Sequence, residues 1–123
     1  MSGIGYLLDT NIILYLPRGD KDIAGLLKQK DLYISFITEM ELLSFPKLSE
    51  NEKKNIESLL TDVFILEFNS EIKKTASNIP SKYSLNLPDS IIIASSLFLN
   101  LPLISADKAF QKIKEADFIL IER

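Results

Sequence analysis

The sequence predicts an α/β domain with a mostly parallel central sheet of about five strands and helices on both faces. Three observations carry this. Short runs rich in apolar, aromatic and β-branched residues alternate along the chain with segments of helical periodicity, the pattern of strands joined by crossover helices. Carboxylates fall where strands hand over to helices, and in open α/β sheets ligands bind outside the carboxyl ends of the strands. The length, 123 residues with 46% hydrophobic content, suits one domain, residues 1–123, with a core that needs no staples.

The elements follow in order. Residues 4–8 form the first strand, its apolar run Tyr6 to Leu8 ending directly on Asp9. Residues 10–16 form a helix ended near Pro17 and Gly19. Residues 22–30 place Ile23, Leu26 and Leu27 at helical spacing. Residues 32–36 are a second strand and 38–44 a helix stopped by Pro46. Ser49-Glu50-Asn51-Glu52 is a capping box opening a helix to about Thr61. Residues 63–68 are a third strand, and 70–84 a helix with a break or bend expected at Pro80. Residues 88–99 form a helix apolar on most sides, hence buried. A short strand at 103–105, a helix at 107–114 and a last strand at 118–121 complete the chain.

Composition narrows the chemistry. There are no cysteines and no histidines. Disulfides, thiolate nucleophiles, His-based triads and ordinary zinc sites are excluded. Carboxylates, hydroxyls, lysines and an oxygen-bound metal remain. The net charge of -3 argues against a strongly basic nucleic-acid binder, yet a local basic patch or a bound cation leaves nucleic acid open. No signal peptide is legible at the N-terminus. The longest apolar-rich stretch, residues 91–103, is interrupted by Ser95, Ser96, Asn100 and Pro102 and is too short to span a bilayer. A soluble, cytoplasmic protein is expected.

Four acidic residues sit at element boundaries: Asp9, Glu41, Asp89 and Asp107. Each has a simpler explanation taken singly. Asp9 and Asp107 could cap helices. Thr38-Glu39-Met40-Glu41 matches a capping box. Asp89, after Pro88, could complement the helix macrodipole. Together they argue for more. Asp9 and Asp107 follow strands that neighbour each other in a doubly wound sheet, and the other two open helices that could line the same crevice. At about 5 Å and an effective dielectric near 20, each pair repels by roughly 3 kcal/mol, so a cation is wanted among them. Carboxylate oxygens suit Mg²⁺ or Mn²⁺, and that pairing suits phosphodiester hydrolysis.

Four stretches carry a family resemblance. They are Leu8-Asp9-Thr10-Asn11-Ile12-Ile13, Ser35-Phe36-Ile37-Thr38-Glu39-Met40-Glu41-Leu42, Leu87-Pro88-Asp89-Ser90-Ile91-Ile92-Ile93-Ala94, and Leu103-Ile104-Ser105-Ala106-Asp107-Lys108-Ala109-Phe110. In this order and over nearly the whole chain they resemble PIN-domain proteins, most of all the VapC toxins of toxin–antitoxin pairs. The resemblance implies a PIN-like fold and a Mg²⁺- or Mn²⁺-dependent endoribonuclease. It implies metal binding by Asp9, Glu41, Asp89 and Asp107, and it selects Glu41 over Glu39, which helical periodicity does not. It implies supporting roles for Asn11, Ser105 and Thr38. It also implies a homodimer, and a small VapB-like antitoxin seated in a groove of the early helices. The last motif departs from the family pattern, with Ser105 and Ala106 where members often carry Thr and a basic residue.

Other features have weaker claims. Arg18-Gly19-Asp20 fits a turn after a helix better than an adhesion motif. Lys53-Lys54 and Lys73-Lys74 read as solvated helix faces, whereas Lys82 and Lys108 lie closer to the acids and are the better phosphate contacts. Two other functions compete. A receiver-like signalling module would need paired acids after the first strand and an acceptor Asp after a middle one; here Asp9 stands alone and Asn69 follows the third strand. A non-catalytic PIN-fold binding protein would be expected to lack one of the four acids.

Overall fold

The structure, a computed structural model, describes residues 4–122, apart from the side chains of Pro17, Pro80, Ser81 and Lys82. Five strands, β1 (Gly5–Leu8), β2 (Asp31–Ser35), β3 (Phe64–Leu66), β4 (Leu103–Ser105) and β5 (Phe118–Leu120), form one sheet in the order β3-β2-β1-β4-β5. All four pairings are parallel. Chain order runs outward from β1 to β2 and β3 on one side and through β4 to β5 on the other. The switch point therefore lies between β1 and β4, and the crevice outside their carboxyl ends is where such sheets bind ligands. A receiver-like order, 2-1-3-4-5, is not what this chain adopts.

Strand alternation sorts the core into two layers. Leu7 and Leu103 face a layer formed with Ile72, Ala76, Ile92, Ile93 and Phe110. Leu8, Ile34 and Ile104 face the opposite layer, with Ile12, Ile13, Ile23, Leu42 and Ile56. Helices α1 (Thr10–Tyr15), α2 (Lys21–Leu27), α3 (Phe36–Leu43) and α4 (Glu50–Asp62) supply the second layer, and α5 (Ser70–Tyr83) and α6 (Leu87–Leu99) the first. Both faces of the central strands are buried, which is why they read as unbroken apolar runs.

Local chemistry sets the boundaries. Ser49 and Glu52 form the expected capping box of α4. Gly19, at φ 83°, ends the 3-10 turn Leu16–Arg18, and Asp20 caps α2 by accepting from the Ile23 amide. The Arg-Gly-Asp stretch is thus a helix-to-helix turn, with Arg18 paired to Glu52 at 3.5 Å.

Three expectations are corrected. Phe36 opens α3 rather than closing β2, because the Ser35 hydroxyl accepts from the Ile37 amide and starts the helix two residues early. Helix α5 is continuous through position 80. Its buried residues Ile72, Ala76 and Ile79 pack with α6 residues, and packing outweighs one missing amide so near the helix end. The segment after β4 is a 3-10 turn, Lys108–Lys112, rather than an α-helix over 107–114. Its bonds, Phe110 to Asp107 and Ile113 to Phe110, have the i to i+3 period, and the two side chains it buries, Phe110 and Ile113, stand three apart. Among the described residues no helix is long and apolar enough to cross a membrane.

Gly5 lies in β1 where a Cβ would meet the Asp31 carbonyl oxygen at 3.1 Å and the Leu101 and Tyr33 side chains at 3.3 Å. Gly5→Ala is expected to destabilise the fold by about 1–3 kcal/mol through overpacking. Urea denaturation reads this as a lowered midpoint at unchanged slope; an unmoved midpoint would show that β1 yields at this point.

Candidate metal centre

Asp9 follows β1 directly, and its amide donates to the Ile104 carbonyl of β4 at 3.0 Å. The parallel pairing thus continues one residue past the strand and brings Asp9 beside the end of β4. There the Ser105 hydroxyl donates to Asp9 Oδ2 at 2.6 Å and accepts from the Asp107 amide at 3.0 Å. One buried hydroxyl therefore joins the two strand-end acids. Asn11 adds a second tie, its Oδ1 accepting from the Ala106 amide at 3.2 Å.

Capping and clustering turn out to coexist. Asp9 Oδ1 accepts from the Thr10 amide at 2.8 Å and caps α1. Asp107 Oδ1 accepts from the Ala109 amide at 2.9 Å and caps the 3-10 turn. The capping box suggested by Thr38 and Glu41 is not formed, since Ser35 caps α3. Instead the Thr10 hydroxyl donates to Glu41 Oε1 at 2.6 Å, and fully buried Thr38 stands behind it, Oγ1 to Oγ1 at 3.3 Å. Asp89 is the third residue of α6, with its amide held by the cap Asn86 at 2.9 Å. Thr10 and Asn86 both belong to the site's framework. Neither is legible beforehand except as a residue at a helix start.

Electrostatics shows the convergence. Burial first, and then the charges of Asp9, Asp107 and Glu41, push Asp89 up to about 6. Asp9 is also raised, mainly by burial; the hydrogen bonds from Ser105 and Thr10 oppose this, and Glu41 and Asp107 add to it. Among the described residues no group of three or more acids is already arranged to hold one ion. That is compatible with Mg²⁺, which is typically bound by one or two carboxylates and keeps several waters. An all-oxygen donor set in which Asp9 and Asp89 are both raised by burial and by their neighbours' charges fits a hard divalent cation.

The cations predicted alongside are less placed. Lys108 is exposed on the 3-10 turn, one residue past Asp107. The Lys82 side chain lies outside the described residues.

The comparisons agree with this geometry. A family model described as PIN domain matches residues 6–116. No curated protein sequence matches significantly. Among solved structures, a chain of VapBC-1 from nontypeable Haemophilus influenzae is similar at 30% identity and TM-score 0.73, over 95% of this chain and 98% of that one. A chain of a toxin–antitoxin complex from Klebsiella pneumoniae is similar at 27% identity and TM-score 0.81, over 96% and 99%. A chain of VapBC2 from Rickettsia felis, in a structure bound to a DNA fragment from the promoter, shares the fold at 19% identity and TM-score 0.83, over 95% and 98%. The chain therefore belongs to the PIN-domain family, a family of nucleases, and is VapC-like within it.

Proposed function

We propose that this protein is a Mg²⁺- or Mn²⁺-dependent endoribonuclease, the toxin of a type II toxin–antitoxin pair acting in the cytoplasm. One observation carries the reading: acids from four separate segments meet at the switch-point crevice, where burial and then the charges of Asp9, Asp107 and Glu41 raise Asp89 to about 6. Structural neighbours that are toxin–antitoxin complexes support it.

Asp9, Glu41, Asp89 and Asp107 would hold the metal. When bound, Mg²⁺ or Mn²⁺ supplies Lewis acidity for phosphodiester hydrolysis and makes water a better nucleophile near neutral pH. The chain's own groups keep that site in register. Ser105 and Asn11 tie the end of β1 and the start of α1 to the end of β4, and Asn86 fixes the first turn of α6 that presents Asp89. Lys108, and Lys82 by its place in the sequence, would meet the RNA backbone.

A homodimer and a small VapB-like antitoxin complete the reading. Exposed Met40 (60%) and Leu43 (67%) line an apolar groove of about 500 Å³ that reaches Glu41 and Pro88. A second groove of about 390 Å³ lies between Leu16 and Gly19 on one side and α4 on the other. The first is an exposed apolar surface of the kind that partners cover.

The test is cleavage of structured RNA by the purified chain, freed of any co-purified partner. Cutting is expected with Mg²⁺ or Mn²⁺, falling to background in EDTA and returning with excess metal. Cutting that persists undiminished in EDTA would overturn metal dependence. No cutting under any metal, with the fold intact, would favour a binding role for the same fold.

A further inference from the structure

Thr10 makes two hydrogen bonds that no other residue of the site combines. Its backbone amide donates to Asp9 Oδ1 at 2.8 Å, and its hydroxyl donates to Glu41 Oε1 at 2.6 Å. One residue at the start of α1 thus grips a carboxylate from the end of β1 and another from α3. The hydroxyl carries a single proton. The shorter, charge-assisted bond to Glu41 claims it, so the 3.3 Å contact with Thr38 is the Thr38 hydroxyl donating to the Thr10 oxygen. The result is a relay of two hydroxyls ending on a carboxylate, each bond polarising the next.

Glu41 needs such a hold. Its residue is exposed, and its side chain has three rotatable bonds, so without a partner it would sample many rotamers and lose that freedom on binding an ion. Thr38, at the far end of the relay, is fully buried and anchors it to the core. We infer that Thr10 is a positioning residue for Glu41, fixing one of its carboxylate oxygens beside Asp9 and so presetting the distance between two candidate ligands. The inference rests on the metal-site reading above.

The test measures Mn²⁺ binding to the purified chain by calorimetry and by the loss of free Mn²⁺ signal in electron paramagnetic resonance, with no RNA present. Thr10→Val keeps the β-branch and the amide that Asp9 caps and removes only the hydroxyl donor. It is expected to weaken Mn²⁺ about 10-fold, within the range seen when a metal ligand loses its outer partner, while Thr10→Ser stays close to the parent. In a Glu41→Gln background the same substitution is expected to have little further effect, because the two act as one unit. Thr10→Ala serves as the second variant if valine disturbs α1, with circular dichroism and melting recorded for each protein.

Parent-like Mn²⁺ affinity in both Thr10→Val and Thr10→Ala would overturn the inference. So would a 10-fold loss that persists undiminished in the Glu41→Gln background, since Thr10 would then act through Asp9 or the fold. If Asp9→Asn and Asp89→Asn leave Mn²⁺ binding untouched, the metal site itself is wrong. If they abolish it while Thr10→Val does nothing, only the positioning role fails.

Discussion

Asp9→Asn is expected to lower RNA cleavage by about 10³-fold, the equivalent of several kcal/mol of lost metal-assisted stabilisation, while leaving the fold in place. The fold survives because asparagine keeps a side-chain oxygen to accept from the Thr10 amide, and Asn is as good a helix cap as Asp. Burial already disfavours the Asp9 charge, so removing that charge offsets part of the Ser105 bond that the amide gives up. What the amide cannot do is present an anionic oxygen pair to a hard cation. Single-turnover cleavage at saturating Mg²⁺, read beside a circular dichroism spectrum, separates the two roles. A variant that cuts within 10-fold of the parent would show that Asp9 only caps α1, and the site would have to be sought elsewhere. A variant that fails to fold would show that the Ser105 bond to Oδ2 at 2.6 Å matters more than the cap.

The way Asp9 does two jobs explains what could be read from the sequence. Strands buried on both faces leave unbroken apolar runs, so the end of β1 at Leu8 and the carboxylate after it were visible at once. Parallel order then puts Asp9 and Asp107 at one edge, and the Leu8–Ile104 register delivers this. Asp89 stood out in the same way, at the start of a buried helix, whereas the family motifs were needed to choose Glu41 over Glu39, which periodicity alone could not separate, because α3 carries exposed apolar residues such as Met40 and Leu43 that blur its buried face. Tertiary hydrogen bonds were beyond reach. Thr10 and Glu41 are 31 residues apart, and nothing local marks their contact. Phe36 has strand propensity, but Ser35 accepting from Ile37 decides its state. Asp107 looked like the cap of a full α-helix, yet only Phe110 and Ile113 reach the core from that segment, and a 3-10 turn satisfies both.

Asp89→Asn is expected to abolish cleavage to a similar degree and, in EDTA at pH 7.5, to raise the melting temperature by a few degrees. The two effects have one cause. The folded chain holds Asp89 at about 6 against an ordinary 3.8, through burial and the charges of Asp9, Asp107 and Glu41. Its ionised form is therefore disfavoured by folding, despite the favourable position on α6 near the helix N-terminus. The sign follows from linkage: stability from the protonated group is fully present below about 3.8 and is lost as pH rises through about 6. Asparagine is neutral throughout, so the gap between variant and parent should be widest above pH 7 and close as pH falls from about 6 toward 3.8. The other acids titrate in both proteins, so their common effects largely cancel in the difference. Metal reverses the order. An ion binding only the folded parent adds about 2.7 kcal/mol at a concentration 100 times its Kd, and the variant, lacking a ligand, gains little. Melting curves at pH 4.5 and 7.5, with EDTA and with Mn²⁺, give the four comparisons. A variant less stable than the parent in EDTA at pH 7.5 would make Asp89 a structural carboxylate. A crossing of the two proteins on adding Mn²⁺ is what a site that trades stability for an ion requires.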